Sequence, residues 1–582
     1  MAEPKNISVD RVNLVYKTSV GGVEQEIELP FRLLVCGDFT CDERSQYFDG
    51  QQIHIISDKG LDTLFLKLQP AISVRVENKL LKDGSDLALD YKFSSMQDFN
   101  PENIMAGTPA FRVLQDFVAS LEKLIKDDFE SSVLDDIDPQ IQGILEAEGV
   151  KLDELQKDGS LVGWLISDLT NRITEQLDEI LHSETFTQIE SIWRSLDFLV
   201  EQTDFTENCE IDVLNISKQA LMDDFEDAPE VVQSEFYQLV YASEFGQFGG
   251  KPYGAIIGNY EFTPKAFDIK LLQRIASVAA FAHLPFIAAA SAEFFSVNSY
   301  SEFSKLRDLK SILEQPSYAK WQSFRASMDS RYIALTLPSF LLRQPYDITV
   351  GSINYRETIG KKDRNLLWGN SAFAFATRLL NSFAKYRLCL NIMGGEDGKV
   401  EGLNQENNKS STMHTNKIPT QILITDKRES ELVSQGFMPL SVHKGDDTAA
   451  FYSAYSVHNN PDAINGKEVN LSLRLASQLP YLLIISRISH YIKMMQREHI
   501  GSWTNRREID QGLNDWLKQL VSDMDNPAPG VRARRPLRRA DIKVREVEGK
   551  ADWFLTKIEI TPHIKYMGDS FTLQETSKLE KT

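Results

Sequence analysis

Apolar and polar positions change period several times along this chain of 582 residues, and each change predicts an element. Val12-Asn13-Leu14-Val15-Tyr16 is a short β-former run, preceded by a polar tail and followed by the turn-prone Gly21-Gly22. Leu29 to Phe39 is largely apolar around Gly37-Asp38, as a buried strand is at its turn. Gln52 to Ile56 makes a third strand. Met96 to Pro101 leads into a helix, where Phe111, Leu114, Phe117, Val118, Leu121 and Ile125 recur at spacings of three and four and bury one face. Lys126 to Ser160 is acidic and punctuated by Pro139, Gly143, Gly149 and Gly159, which predicts a connector with short helical pieces.

Beyond that boundary, Val162, Leu165, Ile166, Leu169, Ile173, Leu177 and Ile180 mark an amphipathic helix. Strand and helix patterns then alternate: Ile211 to Ile216, Tyr253 to Gly258, the helix Leu271 to Ala282, and Pro285 to Ala290. That alternation predicts an α/β fold with mixed sheets and flanking helices. Asn404 to Lys417 is polar and predicts an exposed loop. Leu471 to Arg497 is a long helical stretch containing Pro480, and Trp516, Leu517, Leu520 and Val521 belong to a further helix. The chain ends in strands, Trp553 to Ile560 and Phe571-Thr572-Leu573. No internal repeat is visible.

Composition narrows the class. Length alone predicts about three to five packing units. Sixty-three basic against 84 acidic residues give a net charge of −21, which argues against general nucleic-acid or anionic-membrane binding. No run of about 20 apolar residues is present to span a bilayer, and no signal-peptide core follows Met1, so the expected location is the cytoplasm. Cys36, Cys41, Cys209 and Cys389 are too scattered for a disulfide framework or a zinc site. The histidines form no metal motif, so no metal and no cofactor is expected.

A search for enzyme chemistry finds no motif. Gly394-Gly395-Glu396-Asp397-Gly398-Lys399 approaches a phosphate-binding loop, but Val400 stands where a magnesium-binding hydroxyl is needed. Gly246, Gly249, Gly250, Gly254 and Gly258 lack the dinucleotide-binding spacing and read as tight turns beside a buried strand. Two features do stand out. Arg532, Arg534, Arg535, Arg538 and Arg539 crowd together in an acidic chain, either to dock an acidic partner or to pair with the protein's own carboxylates. Short β-former runs also lie near both ends, where an extended arm can add to the sheet of a neighbouring molecule or pair within its own chain.

Longer stretches carry a resemblance. Arg11 to Lys17, Glu28 to Val35, Gly37-Asp38-Phe39-Thr40 and Asp98-Phe99-Asn100-Pro101 resemble the small sheath subunit of bacterial type VI secretion systems. From about Ile173 the chain resembles the large sheath subunit, through Ile192-Trp193-Arg194-Ser195-Leu196, Val213 to Lys218, Glu244 to Gly250, Pro285 to Ser291, Tyr332 to Pro338, Leu367-Trp368-Gly369-Asn370, Thr425 to Glu429 and Gly436-Phe437. Two subunits that are separate in the family thus stand on one chain. The resemblance divides it into a small-subunit-like region (1–127), an acidic junction (128–160), a large-subunit-like region (161–470) and a C-terminal assembly region (471–582).

The resemblance implies a non-enzymatic, contractile-sheath-like subunit that polymerises helically around an inner tube, docks on a baseplate and contracts. It implies interwoven terminal strands, here Val12, Asn13, Leu14, Val15 and Tyr16 with Phe571, Thr572 and Leu573. The arginines at 532, 534, 535, 538 and 539 are the candidate inner-tube contact. In the family, a helix at the start of the large subunit is recognised by an AAA+ ATPase that dismantles contracted sheath. No clear equivalent is visible here, and the helix from Val162 to Ile180 is the nearest substitute. The rival readings are a sheath-fold baseplate or adaptor component and an α/β nucleotide-binding enzyme.

Overall fold

The computed structural model describes residues 12, 14–20, 23–48, 50–56, 60–82, 84–125, 138–148, 150, 159–247, 249–351, 353–360, 365–404, 418–442, 448–459, 477–498, 506–524, 535–546, 553–562 and 573–580. Most of the acidic connector, the polar loop from 405 and the start of the stretch from Leu471 lie outside the described residues.

Strands β1 (Tyr16–Val20) and β2 (Val23–Ile27) form an antiparallel hairpin. They are followed by β3 (Phe31–Gly37), β4 (Ile53–Ile56) and a second hairpin of β5 (Ala71–Glu77) and β6 (Asp86–Lys92). Helix α1 (Pro109–Ile125) closes this part. Helices α2 (Gly159–Leu181) and α3 (Glu184–Glu201) open the next, which continues through β7 (Cys209–Asn215), β8 (Tyr253–Phe262), helix α4 (Ala266–Ala282), β9 (Phe286–Ala290) and β10 (Ile333–Leu337). A short hairpin, β11 (Asp347–Val350) and β12 (Ile353–Arg356), precedes helix α5 (Ser371–Tyr386) and strand β13 (Phe437–Pro439).

The main sheet has seven strands in the order β13-β10-β9-β8-β3-β7-β4. All neighbours are parallel except β4, which runs antiparallel to β7 at one edge. Its central strands are buried on both faces, so β3, β9 and β10 read as continuous apolar runs rather than alternations. The first strand of this sheet in sequence is not at its edge. Strand β3 lies between β7 and β8, with Leu34 facing Asp212 on one side and Ile256 on the other.

Side chains lock this joint. Arg32 is buried and reaches Asp212 Oδ2 at 2.5 Å, Glu244 at 2.9 Å and Glu210 at 3.3 Å, while its guanidinium lies 4.4 Å from the centre of the Tyr253 ring. Tyr253 donates to the same carboxylate at 3.0 Å. Burial pushes the Asp212 carboxyl up and Arg32 pulls it back, leaving it above its ordinary value. Trp193 stacks on Phe65 at 3.8 Å and donates its indole N–H to Phe39 O at 3.0 Å. Gly254 sits under the Phe31 ring, where a Cβ would lie 2.4 Å from ring carbon. Gly258 likewise faces the Phe286 ring; these two glycines lie inside β8 rather than in the expected turns, whereas Gly249, with φ +76°, lies in a turn before it.

Length predicts three to five packing units, whereas the described residues form two cores. The first runs from Phe31 to Leu483 and includes both hairpin β5–β6 and the main sheet. The second gathers Val12, Leu14, Tyr16 and Leu29 with Leu388 and residues from Tyr481 to Ile560. It is built on helices α6 (Leu479–Glu498) and α7 (Arg506–Lys518) and on an antiparallel sheet of β14 (Leu537–Glu546), β15 (Trp553–Pro562) and β16 (Leu573–Glu580). Pro480 falls at the second position of α6, where its missing amide costs no helical bond. Helix α4 starts at Ala266, earlier than its apolar pattern predicts.

Helix α6 also seals the C-terminus of α4. His490 Nε2–H donates to Ala282 O at 2.9 Å and Lys493 donates to Phe281 O at 2.9 Å. Burial, with Lys493 and Arg487 nearby, pushes His490 down to about 3, and His283 on the end of α4 is lowered for the same reason.

Two outcomes are expected. Arg32→Met should cost roughly 3–5 kcal/mol in urea unfolding, because Asp212 is left buried without its partner, and Arg32→Met with Asp212→Leu should recover most of that loss. The unfolded chain takes up a proton at His490 below about pH 6.5 and the folded chain does not until about pH 3. Stability should therefore fall by roughly 2 kcal/mol between pH 8 and 5 from this group, and thermal melts of His490→Gln should show a correspondingly flatter pH dependence.

Candidate assembly site

The second core is where the two ends of the chain meet. Val12, Leu14 and Val15 are not in a strand; their backbone is held as a strap by groups from elsewhere in the chain, and β1 begins only at Tyr16. Val12 donates its amide to Tyr386 O at 3.3 Å. Tyr491 donates its hydroxyl to Leu14 O at 2.7 Å and accepts from Leu29 N at 2.9 Å. Trp516 donates its indole N–H to Val15 O at 2.9 Å. Arg487 donates to Pro30 O at 2.8 Å and also to Leu29 O, and it lies over the rings of Phe383 and Tyr491 at 5.0 and 5.2 Å. Tyr16 meets Tyr491 edge-on at 6.1 Å, and Tyr491 stacks on Trp516 at 5.8 Å. Arg387, in the left-handed cap of α5, pairs with Glu28 at 3.2 Å.

Helix α7 turns Ile509, Leu513, Leu517 and, just past its end, Leu520 into this core. Its polar residues meet the sheet. Asn514 donates to Ile542 O at 2.8 Å and accepts from Ile542 N at 2.9 Å, and Asp510 accepts from Val544 N at 3.0 Å. Leu537 N donates to Leu520 O at 3.2 Å, and Ser522 N donates to Leu537 O at 2.9 Å. The outer edge of β14 is therefore occupied by α7 and the turn behind it, which is how an edge strand is kept from pairing at random. The outer edge of β16 pairs with no strand among the described residues, and hairpin β1–β2 belongs to no larger sheet.

The sequence-predicted residues fall as follows. Val12, Leu14 and Tyr16 are buried in their own chain's second core, Val15 is half-buried, and Asn13 lies outside the described residues. Leu573 opens β16 opposite Ile560, whereas Phe571 and Thr572 lie outside the described residues. Of the arginine cluster, Arg535 and Arg539 are exposed and Arg538 is half-buried; Arg532 and Arg534 lie outside the described residues. The structure brings the first arm and the strand ends to one unit. Tyr491, Arg487, Asp510 and Asn514 are contributors that sequence reading passed over, since each looks like an ordinary polar position on a helix.

The enzyme-like features have structural roles. In the 394–399 turn the amides of Gly394, Gly398 and Val400 already bond to Phe451 O, Gly394 O and Ala449 O. Burial raises all four thiols, Cys41 and Cys209 to about 12, which disfavours the thiolate form. Among the described residues no group of His, Cys, Asp and Glu could hold a metal ion, and no helix is long and apolar enough to cross a membrane.

Residues 5–158 match the type VI secretion system VipA family, residues 164–458 the VipB tail sheath N-terminal domain, and residues 468–579 the VipB tail sheath gpW/gp25-like domain. The type VI secretion system sheath protein TssC1 of Pseudomonas aeruginosa is 38% identical over 429 residues, covering 71% of this chain and 85% of that protein. A solved baseplate of the anti-feeding prophage is similar over 67% of this chain and 77% of its own, at 7% identity and a TM-score of 0.32, a likeness too remote to bear on function. The chain belongs to the type VI secretion sheath family, as a structural sheath protein with VipA-like and VipB-like regions joined in one polypeptide.

Proposed function

We propose that copies of this chain polymerise into a helical sheath around an inner tube, in the cytoplasm, and that contraction of the sheath drives the tube into a target cell. The observation that carries this reading is the pairing state of the assembly unit. One sheet edge is closed by α7, the opposite edge, β16, has no further strand partner among the described residues, and a two-stranded hairpin stands on a fixed base. A neighbouring copy's strand adds to such an edge through main-chain hydrogen bonds, with β1–β2 at one end and the strand opening at Leu573 at the other as the exchanging elements. Donation in one direction that does not close on itself yields an open helix.

In this reading residues 1–127 and 161–470 are the two sheath subunits, 128–160 joins them, and 471–582 carries assembly. Joining them fixes their ratio at one to one and replaces a bimolecular encounter with a tethered one. Exposed Arg535 and Arg539, with Arg538 between the two, face the inner tube. The baseplate and an AAA+ disassembly ATPase are the remaining partners.

Because Val12, Leu14 and Tyr16 are core residues, the arm is best tested by trimming only the hairpin. Tyr16 and Ile27 face each other in the register, so Lys17 to Glu26 can be replaced by Gly-Gly. The trimmed chain should stay folded and form no tubes in negative-stain electron microscopy; abundant long tubes would sink the strand-donation reading. Arg535→Glu with Arg539→Glu should lower co-sedimentation with inner tube about tenfold while leaving the melting temperature unchanged. A drop in melting temperature without loss of binding would show these arginines to be internal partners.

A further inference from the structure

We propose that Tyr491 is a positioning residue: its hydroxyl clasps the base of hairpin β1–β2 and so sets the reach and direction in which the hairpin is presented to a second copy of this chain. The inference rests on the strand-donation reading above.

The geometry is specific. Leu14 and Leu29 flank the hairpin, and one hydroxyl bonds both, donating at 2.7 Å and accepting at 2.9 Å. It thereby closes residues 14–29 into a loop with a single side chain at its neck. A hairpin of five paired residues per strand is marginal by itself, and β1–β2 has no third strand among the described residues. Its orientation must come from its base and from helix α6, beside which β1 lies. The base is held further by Trp516 on Val15 O and by Arg487 on Pro30 O, one residue before β3 begins. The clasp therefore ties the hairpin both to α6 and to the strand at the middle of the main sheet. The tyrosine is fully buried, and its ring is fixed by Tyr16 and Trp516, so the hydroxyl has little freedom to seek other partners.

Tyr491→Phe keeps the ring and its packing and removes only the clasp, leaving Leu14 O and Leu29 N–H buried without it. In the unassembled full chain, hydrogen exchange read by mass spectrometry should quicken about tenfold or more over residues 14–30, with no change over β7 to β10. Tube yield should fall in the same preparation. Trp516→Phe, which removes the Val15 bond and leaves a smaller ring stacked on Tyr491, should shift exchange in the same direction by less, and it keeps the test open if the first variant does not fold. Unchanged exchange over 14–30 overturns the proposal. So does a uniform rise over the whole chain, which would make Tyr491 an ordinary core residue, and so does normal tube formation from a chain whose hairpin has loosened. The glycine-bridged chain keeps the two failures apart: tubes from that chain sink strand donation, whereas loss of its tubes beside normal tubes from Tyr491→Phe sinks only the clasp.

Discussion

One slot governs this molecule. Strands β7 and β8 are parallel and buried, and they stand one strand apart, so each presents a row of main-chain donors and acceptors to the gap between them. Left unpaired away from water, each such group costs about 1–3 kcal/mol. Strand β3 fills the gap with seven buried residues and satisfies both rows at once. Neither region therefore has a complete sheet without the other. The VipA-like part lacks partners for its central strand, and the VipB-like part has a sheet split in two. A covalent join suits this dependence, because the missing strand is delivered within the chain and its closure cost grows only slowly with the length of the connector. The polar residues at the joint act on specificity more than on net stability. Arg32 set against Asp212 admits one register of β3, since a slip of one residue would bury the guanidinium among aliphatic side chains.

From that slot the constraint passes outward. Leu29 and Pro30 immediately precede β3, and it is their backbone that Tyr491 and Arg487 hold. Helix α6 then divides its faces between the cores, giving Leu479, Leu482 and Leu483 to the first and Tyr481, Ile484, Ile488 and Ile492 to the second. Each core is held by apolar burial, which is strong in sum and indifferent to direction. The strap between them is held by hydrogen bonds, which are worth about 1 kcal/mol each and fail over a fraction of an ångström. A molecule that must exist in two packings would be expected to keep its cores intact and rearrange at such a link.

The sequence discloses this design unevenly. Amphipathic helices α1 and α2 are legible from their spacing, and β3, β7, β8 and β9 from apolar runs of strand length. Helix α5 carries a period as well, with Thr377, Arg378, Asn381, Ser382 and Lys385 on one stripe, but its first ten residues are all buried, so the stripe there is not a solvent face. Strand β10 is short, and Thr336 interrupts its apolar run. Strand β14 is hidden differently. Ile542 and Val544 alternate with Arg539, Asp541, Lys543 and Arg545, and the eye takes the cluster of charge before the period of two. The assembly unit was half legible: β-former runs at both ends are visible, but that the first is a strap rather than a strand depends on Tyr491, almost 480 residues away. No local pattern encodes a bond of that span. Order along the chain also misplaces β3, which precedes the large-subunit-like region in sequence and lies inside its sheet in space.

Charge explains why short-range bonds must dominate assembly. The chain carries −21, and among the described residues its buried set holds seven arginines against five carboxylates. Arg172 and Arg343 pair with carboxylates, whereas Arg325 and Arg487 bond to carbonyls or amide oxygen, and Arg487 also lies against aromatic faces. Among the described residues, cations thus outnumber carboxylates in the interior. Two copies approaching from a distance repel over about one Debye length, roughly 8 Å at physiological salt. Association of like-charged copies then has to be won inside that distance, by contacts that carry no net charge. Main-chain hydrogen bonds between strands, the contacts of the strand-donation proposal, are of that kind: they are neutral, directional and numerous.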